Sequence, residues 1–113
     1  MPLDWKISEN TVVQPDMLII CKKIESKYLD FAPSLTVEIL SPSTALKDRN
    51  EKFELYEQEG VQYYLIIDHQ FKKIEIYELI NEKYQLKSNT PSSFTFTFND
   101  GCQFSINFDE IWP

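Results

Sequence analysis

Three residues in this chain have the types and spacing to do chemistry together: Asp16, Glu38 and Lys52. Asp16 follows Pro15 at the mouth of one apolar run, and Glu38 sits inside the next, SLTVEIL. A carboxylate in a covered strand is costly unless it is paired, hydrogen-bonded or bound to metal. Two carboxylates on neighbouring strands can hold one divalent cation through hard oxygen ligands. Mg²⁺ suits such a pair, with water and a substrate phosphate completing its shell. The backbone carbonyl of Leu40 is a candidate third protein ligand. Lys52 would bring an ammonium that stabilises charge developing on phosphate or positions the nucleophile. Ser41 and Ser43 lie close enough in sequence to hydrogen-bond nearby.

Each of these residues also has a plainer reading. Asp16 is a common residue after a proline at a strand start. Glu38 can be a structural carboxylate paired with Lys52 or a backbone amide. Asp48 and Lys52, four apart on a helix, make a surface pair worth only ~0.3–0.5 kcal/mol. Tyr56, Tyr63 and Tyr64 read as packing residues, and His69 reads as a surface turn residue. A single histidine makes no typical zinc cluster, and no glycine-rich phosphate loop or nucleophile–histidine arrangement is visible.

The elements that must position the three residues follow from hydrophobic pattern. Residues 11–21 read as a strand entered through Pro15, residues 22–33 as a polar connector, and residues 34–40 as a second strand. Both runs are nearly continuous in apolar residues, as expected for strands covered on both faces. In the second, Thr36, Glu38 and Leu40 share one face, and Leu35, Val37 and Ile39 share the other. Ser41-Pro42-Ser43-Thr44 stops it, with Ser43 or Thr44 as N-cap of a helix over about 45–59. Leu46, Phe53 and Tyr56 or Leu55 form its apolar stripe, with Glu51, Glu54 and Glu57 largely off it, and Gly60 is its stop. Residues 61–68 make the next strand, so the strand–helix–strand unit implies a right-handed crossover and a parallel pair. The helix would then return Lys52 over the strand that carries Glu38.

The remainder reads as antiparallel β structure. IEIYELI and YQLKS are strands, and FTFTF and QFSINF form a hairpin about Asn99-Asp100-Gly101. Phe94, Phe96 and Phe98 alternate, as do Phe104, Ile106 and Phe108, so each set lines one face. The ending DEIWP is expected to form a helical turn with Ile111 and Trp112 packed on the core.

The bulk numbers fit one domain over residues 1–113, with 42% hydrophobic and 14% aromatic residues. The net charge of −7 and a single arginine, Arg49, argue against strong non-specific nucleic-acid binding. A local basic rim or bound cations can still exist on such a surface. Cys21 and Cys102 match no zinc or redox spacing, and Cys21 reads as a small core residue with nothing that calls for a disulfide. No signal peptide is evident, and no apolar run is long enough for a membrane span, so a bacterial cytoplasm is the expected location.

The stretches VVQPDMLIIC, APSLTVEILSPSTALKDRNEKFELYEQEGVQYYLIID and IEIYEL together resemble the Uma family, whose bacterial members are described as restriction endonucleases. That family belongs to the PD-(D/E)XK nuclease-like superfamily. The resemblance is close over about residues 11–80. It implies an α/β, restriction-endonuclease-like fold: a mixed central β-sheet flanked by helices, here with an antiparallel β part at the C-terminal side. By position, Pro15-Asp16 is the PD motif and Glu38 is the second acidic residue. Leu40 stands where the superfamily's lysine is expected, and the family's lysine role moves to the following helix, at Lys52. Relatives usually carry a longer segment before the PD motif than the residues 1–15 present here. An open sheet edge and exposed apolar surface are expected from that shortness, and with them a homodimer or another partner.

Two functions follow as expectations. One is a metal-dependent endonuclease acting on DNA, with Asp16, Glu38 and Leu40 at Mg²⁺ or Mn²⁺ and Lys52 as catalytic lysine. A water activated by the cation would attack phosphorus in line. The other is a catalytically degenerate nuclease-fold protein that self-associates or binds a partner. Binding of a small phosphorylated ligand at the same site is a third possibility.

Overall fold

Two parallel strands joined by a helix form the middle of the molecule. The computed structural model describes residues 4–8, 11–13, 15–21, 31–40, 45–99 and 101–111, with only the backbone of residues 11, 13 and 45–49. Strand β1 is Trp5–Ser8, β2 is Thr11–Val13, β3 is Met17–Ile19 and β4 is Leu35–Ile39. Helix α1, Ala45–Glu59, leads to β5, Tyr63–Asp68. Strands β6 (Lys73–Ile80), β7 (Lys83–Asn89), β8 (Ser93–Thr97) and β9 (Gln103–Asn107) follow, and a 3-10 turn spans Phe108–Glu110.

The central sheet has the order β3-β4-β5-β6-β7. Strands β4 and β5 are parallel, with Glu38 opposite Ile66 and Ile39 opposite Ile67. The other neighbours in the sheet are antiparallel. Strands β1 and β2 form a separate ribbon, and β8 and β9 form the expected hairpin.

Alternation along β4 and β5 divides the core in two, because successive side chains point to opposite faces. Leu35, Val37, Tyr63, Leu65, Ile74 and Ile76 pack under Phe96, Phe98 and Phe108. On the other face Tyr64, Ile66 and Tyr84 meet Tyr56 of α1 and Trp5, with Phe53 alongside. Burial of each such side chain contributes about 1.5–3 kcal/mol. The helix therefore covers the face that bears Thr36 and Glu38, and the hairpin covers the other.

Helix α1 ends as its sequence dictates. Gly60 has φ +81°, Val61 N donates to Tyr56 O and Gly60 N donates to Glu57 O. This pair of bonds closes the last turn around a left-handed residue that glycine adopts without steric cost. Glu57 accepts from Tyr84 N at 2.8 Å, and Tyr84 Oη donates to Val61 O at 2.7 Å. These two bonds tie the helix end to β7 and set how α1 lies across the sheet.

Several expectations need correction. Residues 11–21 are not one strand: β2 and β3 are separate, and β2 pairs with β1, a strand the sequence reading did not anticipate. Pro15 has no amide hydrogen for a ladder, and the Asp16 carboxylate bonds to β4 instead. Strand β3 is also not covered on both faces, since Met17 is 53% exposed at the sheet edge. Ile111 is 40% exposed rather than packed on the core. Trp112 and the expected N-caps Ser43 and Thr44 lie outside the described residues.

The cysteines are a further correction. Cys21 is joined to Cys102 by a disulfide across a sequence separation of 81. It ties the chain just after β3 to the loop that opens β9. Its cause is topological, so neither cysteine's local sequence announces it. Disulfides are rare in reducing cytosol, so the cysteines lend no support to the expected cytoplasmic location.

Candidate functional site

The site lies where β3 and β4 meet under α1. Along β3–β4, Met17 faces Val37 and Leu18 faces Thr36. Continued by one residue, that register sets Asp16 beside Glu38. Asp16 Oδ2 accepts a hydrogen bond from Ile39 N at 2.8 Å. The PD turn is thereby fixed to the residue after Glu38. The backbone amide of Ile39 was not foreseen as a partner, because side-chain spacing says nothing about amides.

Glu38 is 4% exposed. Lys52 Nζ donates to Glu38 Oε1 at 2.8 Å and to Oε2 at 3.2 Å. Tyr56 Oη donates to Glu38 Oε2 at 3.3 Å. Lys52 and Tyr56 are four apart on α1, so one helix face delivers both donors. Their spacing was legible in the sequence. The role of Tyr56 was not, because its ring also packs, stacked on Trp5 at 5.9 Å and edge-on to Tyr64 at 5.2 Å.

Electrostatics follow from this packing. Burial pushes the Glu38 carboxyl above its ordinary value, against the opposing pull of Lys52's hydrogen bond and charge. The Asp16 carboxylate nearby adds to the rise, and the Tyr56 hydroxyl lowers it. The β3–β4 register is what sets the two carboxylates side by side. Burial, reinforced by Glu38, raises the Tyr56 phenol, which stays a donor at any working pH.

The donor set fits a hard divalent cation in part. Two carboxylates are what Mg²⁺ takes from protein when water and phosphate supply the rest. Among the described residues no group of three or more His, Cys, Asp or Glu gathers to hold a metal. Asp16 holds the Ile39 amide through Oδ2. Glu38, by contrast, is engaged by Lys52, so a cation there would compete with the ammonium. Leu40 N donates to Ile67 O at 2.8 Å, which fixes the backbone next to the candidate carbonyl. Thr36 Oγ1 is buried on the same strand face with no hydrogen-bond partner among the described groups.

The remaining candidates fall elsewhere. His69 is exposed in the turn after β5, as expected. Tyr63 belongs to the hairpin-side core and donates to Thr97 O at 3.3 Å. Ser41 and Ser43, and the side chain of Asp48, are outside the described residues.

A family described as "Putative restriction endonuclease", Uma2, matches residues 2–107. The chain belongs to the Uma2 family. The match extends beyond the motif-bearing region into the β8–β9 hairpin, so that hairpin is part of the Uma2 pattern too. Two uncharacterized proteins of Synechocystis sp. are similar to this Uma2 chain. One is 32% identical over 86 residues, covering 70% of this chain and 48% of the relative. The other is 38% identical over 66 residues, covering 56% and 35%. The chain thus spans half or less of the length of the curated relatives it matches. Among solved structures, one titled a putative nuclease belonging to DUF820, from Anabaena variabilis, superposes with a TM-score of 0.57. That likeness, at 18% identity over 74% of this chain and 50% of the other, supports the nuclease-like mixed α/β fold. No helix among the described residues is long and apolar enough to cross a membrane.

Proposed function

We propose that this Uma2 chain hydrolyses phosphodiester bonds in DNA with the help of a divalent cation, Mg²⁺ or Mn²⁺. Asp16 and Glu38, with the Leu40 carbonyl, would hold the cation. When bound, it would activate water and neutralise phosphate charge. The observation that carries the reading is the pairing of Glu38 with Lys52 beside Asp16, which is hydrogen-bonded to Ile39. A buried carboxylate that is raised by desolvation, next to a second carboxylate and an ammonium, has the electrostatics of a reactive site. Lys52 is 32% exposed on its side chain, so it can leave Glu38 and reach a scissile phosphate. Its ammonium would then stabilise charge on the phosphoryl oxygens. Tyr56 would hold Glu38 in place while Lys52 moves.

The test is Mn²⁺ titration by calorimetry into wild type, Asp16→Ala and Glu38→Ala, followed by plasmid nicking. Metal-dependent heat and nicking in wild type alone support the reading. Absence of both in wild type, or nicking that survives both substitutions, overturns it.

A second reading is a nuclease-fold protein that acts by self-association, as a homodimer. The observation favouring it is β7, at one end of the sheet order, where Leu86 is exposed. A concentration-dependent sedimentation profile that Leu86→Lys abolishes would favour the second reading.

A further inference from the structure

We infer that the turn between β5 and β6, residues 69–72, is a docking point for the unpaired part of a single-stranded nucleic acid. It would seat a base on Phe71 and phosphates on Lys72 and Lys73. The inference rests on the proposed activity only for its substrate class, and it concerns residues outside the candidate site.

Position is the first argument. Strands β4 and β5 run parallel, so their carboxyl ends share one edge of the molecule. Glu38 is opposite Ile66, and Leu40 N donates to Ile67 O at 2.8 Å. Strand β5 ends two residues after Ile66, at Asp68, and the turn begins at the next residue. At about 3.3 Å per residue the turn starts roughly 10 Å beyond Glu38.

Shape is the second. Asp68 Oδ1 accepts from Phe71 N at 3.2 Å, and Lys72 is held at φ +52°. A side chain that bonds back to the backbone gives the turn a set form. Phe71 is 64% exposed, more than any other exposed large hydrophobic residue among those described. A lone exposed apolar residue is ordinary. This one stands out because a fixed turn at the carboxyl end of β5 displays it beside two exposed lysines.

Charge is the third. The chain carries a net −7, yet Lys72 and Lys73 adjoin Phe71 and are both exposed. Lys83 and Lys87, by contrast, are turned toward Glu57 and Glu78. Asp68 sits opposite Lys73 in the ladder, so the local balance is two lysines against one aspartate. A positive rim with an aromatic platform matches single-strand binding, in which base–aromatic stacking adds to salt-dependent contacts with the backbone phosphates. In a duplex the base faces are already stacked and Phe71 would have nothing to receive.

The test is fluorescence anisotropy of a labelled oligothymidylate and of a blunt duplex in chelator, with nicking measured separately in Mn²⁺. For Phe71→Ala we expect about tenfold weaker single-strand binding. For Lys72→Gln/Lys73→Gln the salt slope should fall by about 1.4, from about 0.7 per phosphate contact. Lys83→Gln/Lys87→Gln should bind as wild type. Wild-type affinity in the Phe71 and Lys72/Lys73 variants overturns the inference, as does a preference for duplex, even if nicking persists. Single-strand binding through the turn without any metal-dependent nicking sustains it while removing the proposed activity. No binding by wild type at low salt overturns it as well.

Discussion

The ammonium of Lys52 sits 2.8 Å from one carboxylate oxygen of Glu38 and 3.2 Å from the other. The two lie fourteen positions apart in sequence, one on β4 and the other on α1. The pair is asymmetric: Glu38 is buried and Lys52 reaches solvent. The carboxylate is thus fixed, and the cation is the partner free to move.

Removal of the mobile partner should separate binding from turnover. For Lys52→Ala, metal affinity is expected to hold or tighten, because no ammonium competes for Glu38. Nicking should fall by at least a hundredfold. Loss of a partner from a fully buried pair costs about 3–5 kcal/mol. With Lys52 a third exposed, about 1–2 kcal/mol of fold stability is expected. Calorimetry with Mn²⁺ and urea melts check both; collapse of metal affinity would make Lys52 a structural clamp.

Neutralising the fixed partner should do the reverse. Glu38→Gln keeps the shape of the side chain and removes a charge that burial disfavours. Metal-dependent heat should disappear, while stability at neutral pH stays within about 1 kcal/mol of wild type or rises. A large loss of stability would show that the ion pair, rather than a function, explains the buried acid.

The pH dependence of the metal-free fold follows from the same residue. Because Glu38 is raised above its ordinary value of 4.5, the folded state holds its proton more tightly than the unfolded state. Its contribution to stability is therefore complete below about 4.5 and is lost as pH rises through the folded value. In chelator, wild type should lose stability relative to Glu38→Gln as pH rises through that window. A relative gain would reverse the assignment. The comparison requires urea midpoints at several pH values.

Tyr56→Phe retains the ring that packs on Trp5 and Tyr64 and deletes the hydroxyl bonded to Glu38. A loss of about 0.5–1.5 kcal/mol is expected. The more telling readout is the pH profile of nicking, which should move to higher pH as Glu38 loses a donor that favours its charged form. An unchanged profile would leave Tyr56 as packing alone.

Reduction of the Cys21–Cys102 bond should destabilise the fold. For a closed loop of about 80 residues the chain-entropy estimate is about 4–5 kcal/mol. Urea melts with and without dithiothreitol, and of Cys21→Ser, measure it. Coincident melts would mean that the two segments are held by packing, without need of the covalent tie.

Much of the middle of the molecule was legible from sequence. The Thr36–Glu38–Leu40 and Leu35–Val37–Ile39 faces, the α1 crossover and the stop at Gly60 each rest on local periodicity or one residue's backbone preference. The same holds for the Phe96–Phe98 side of the hairpin. What escaped depends on distant partners. Strand β1 is four residues long with no strong alternation, and only its pairing with β2 makes it a strand. The break at Pro15-Asp16 arises because an aspartate finds the Ile39 amide across the sheet. The disulfide joins segments that no local pattern relates. At the site, residue types pointed to Asp16, Glu38 and Lys52, whereas the hydroxyl of Tyr56 looked like one more packing ring.

The bond between Cys21 and Cys102 makes a covalent ring of the chain between them. Glu38, Lys52, Tyr56 and the Phe71 turn all lie within it. A single proteolytic cut anywhere inside that ring leaves the two pieces linked, so a nicked molecule migrates as one species until reductant is added. Limited digestion read on paired reducing and non-reducing gels would therefore map exposed turns while the elements that carry Glu38, Lys52 and Tyr56 remain physically joined.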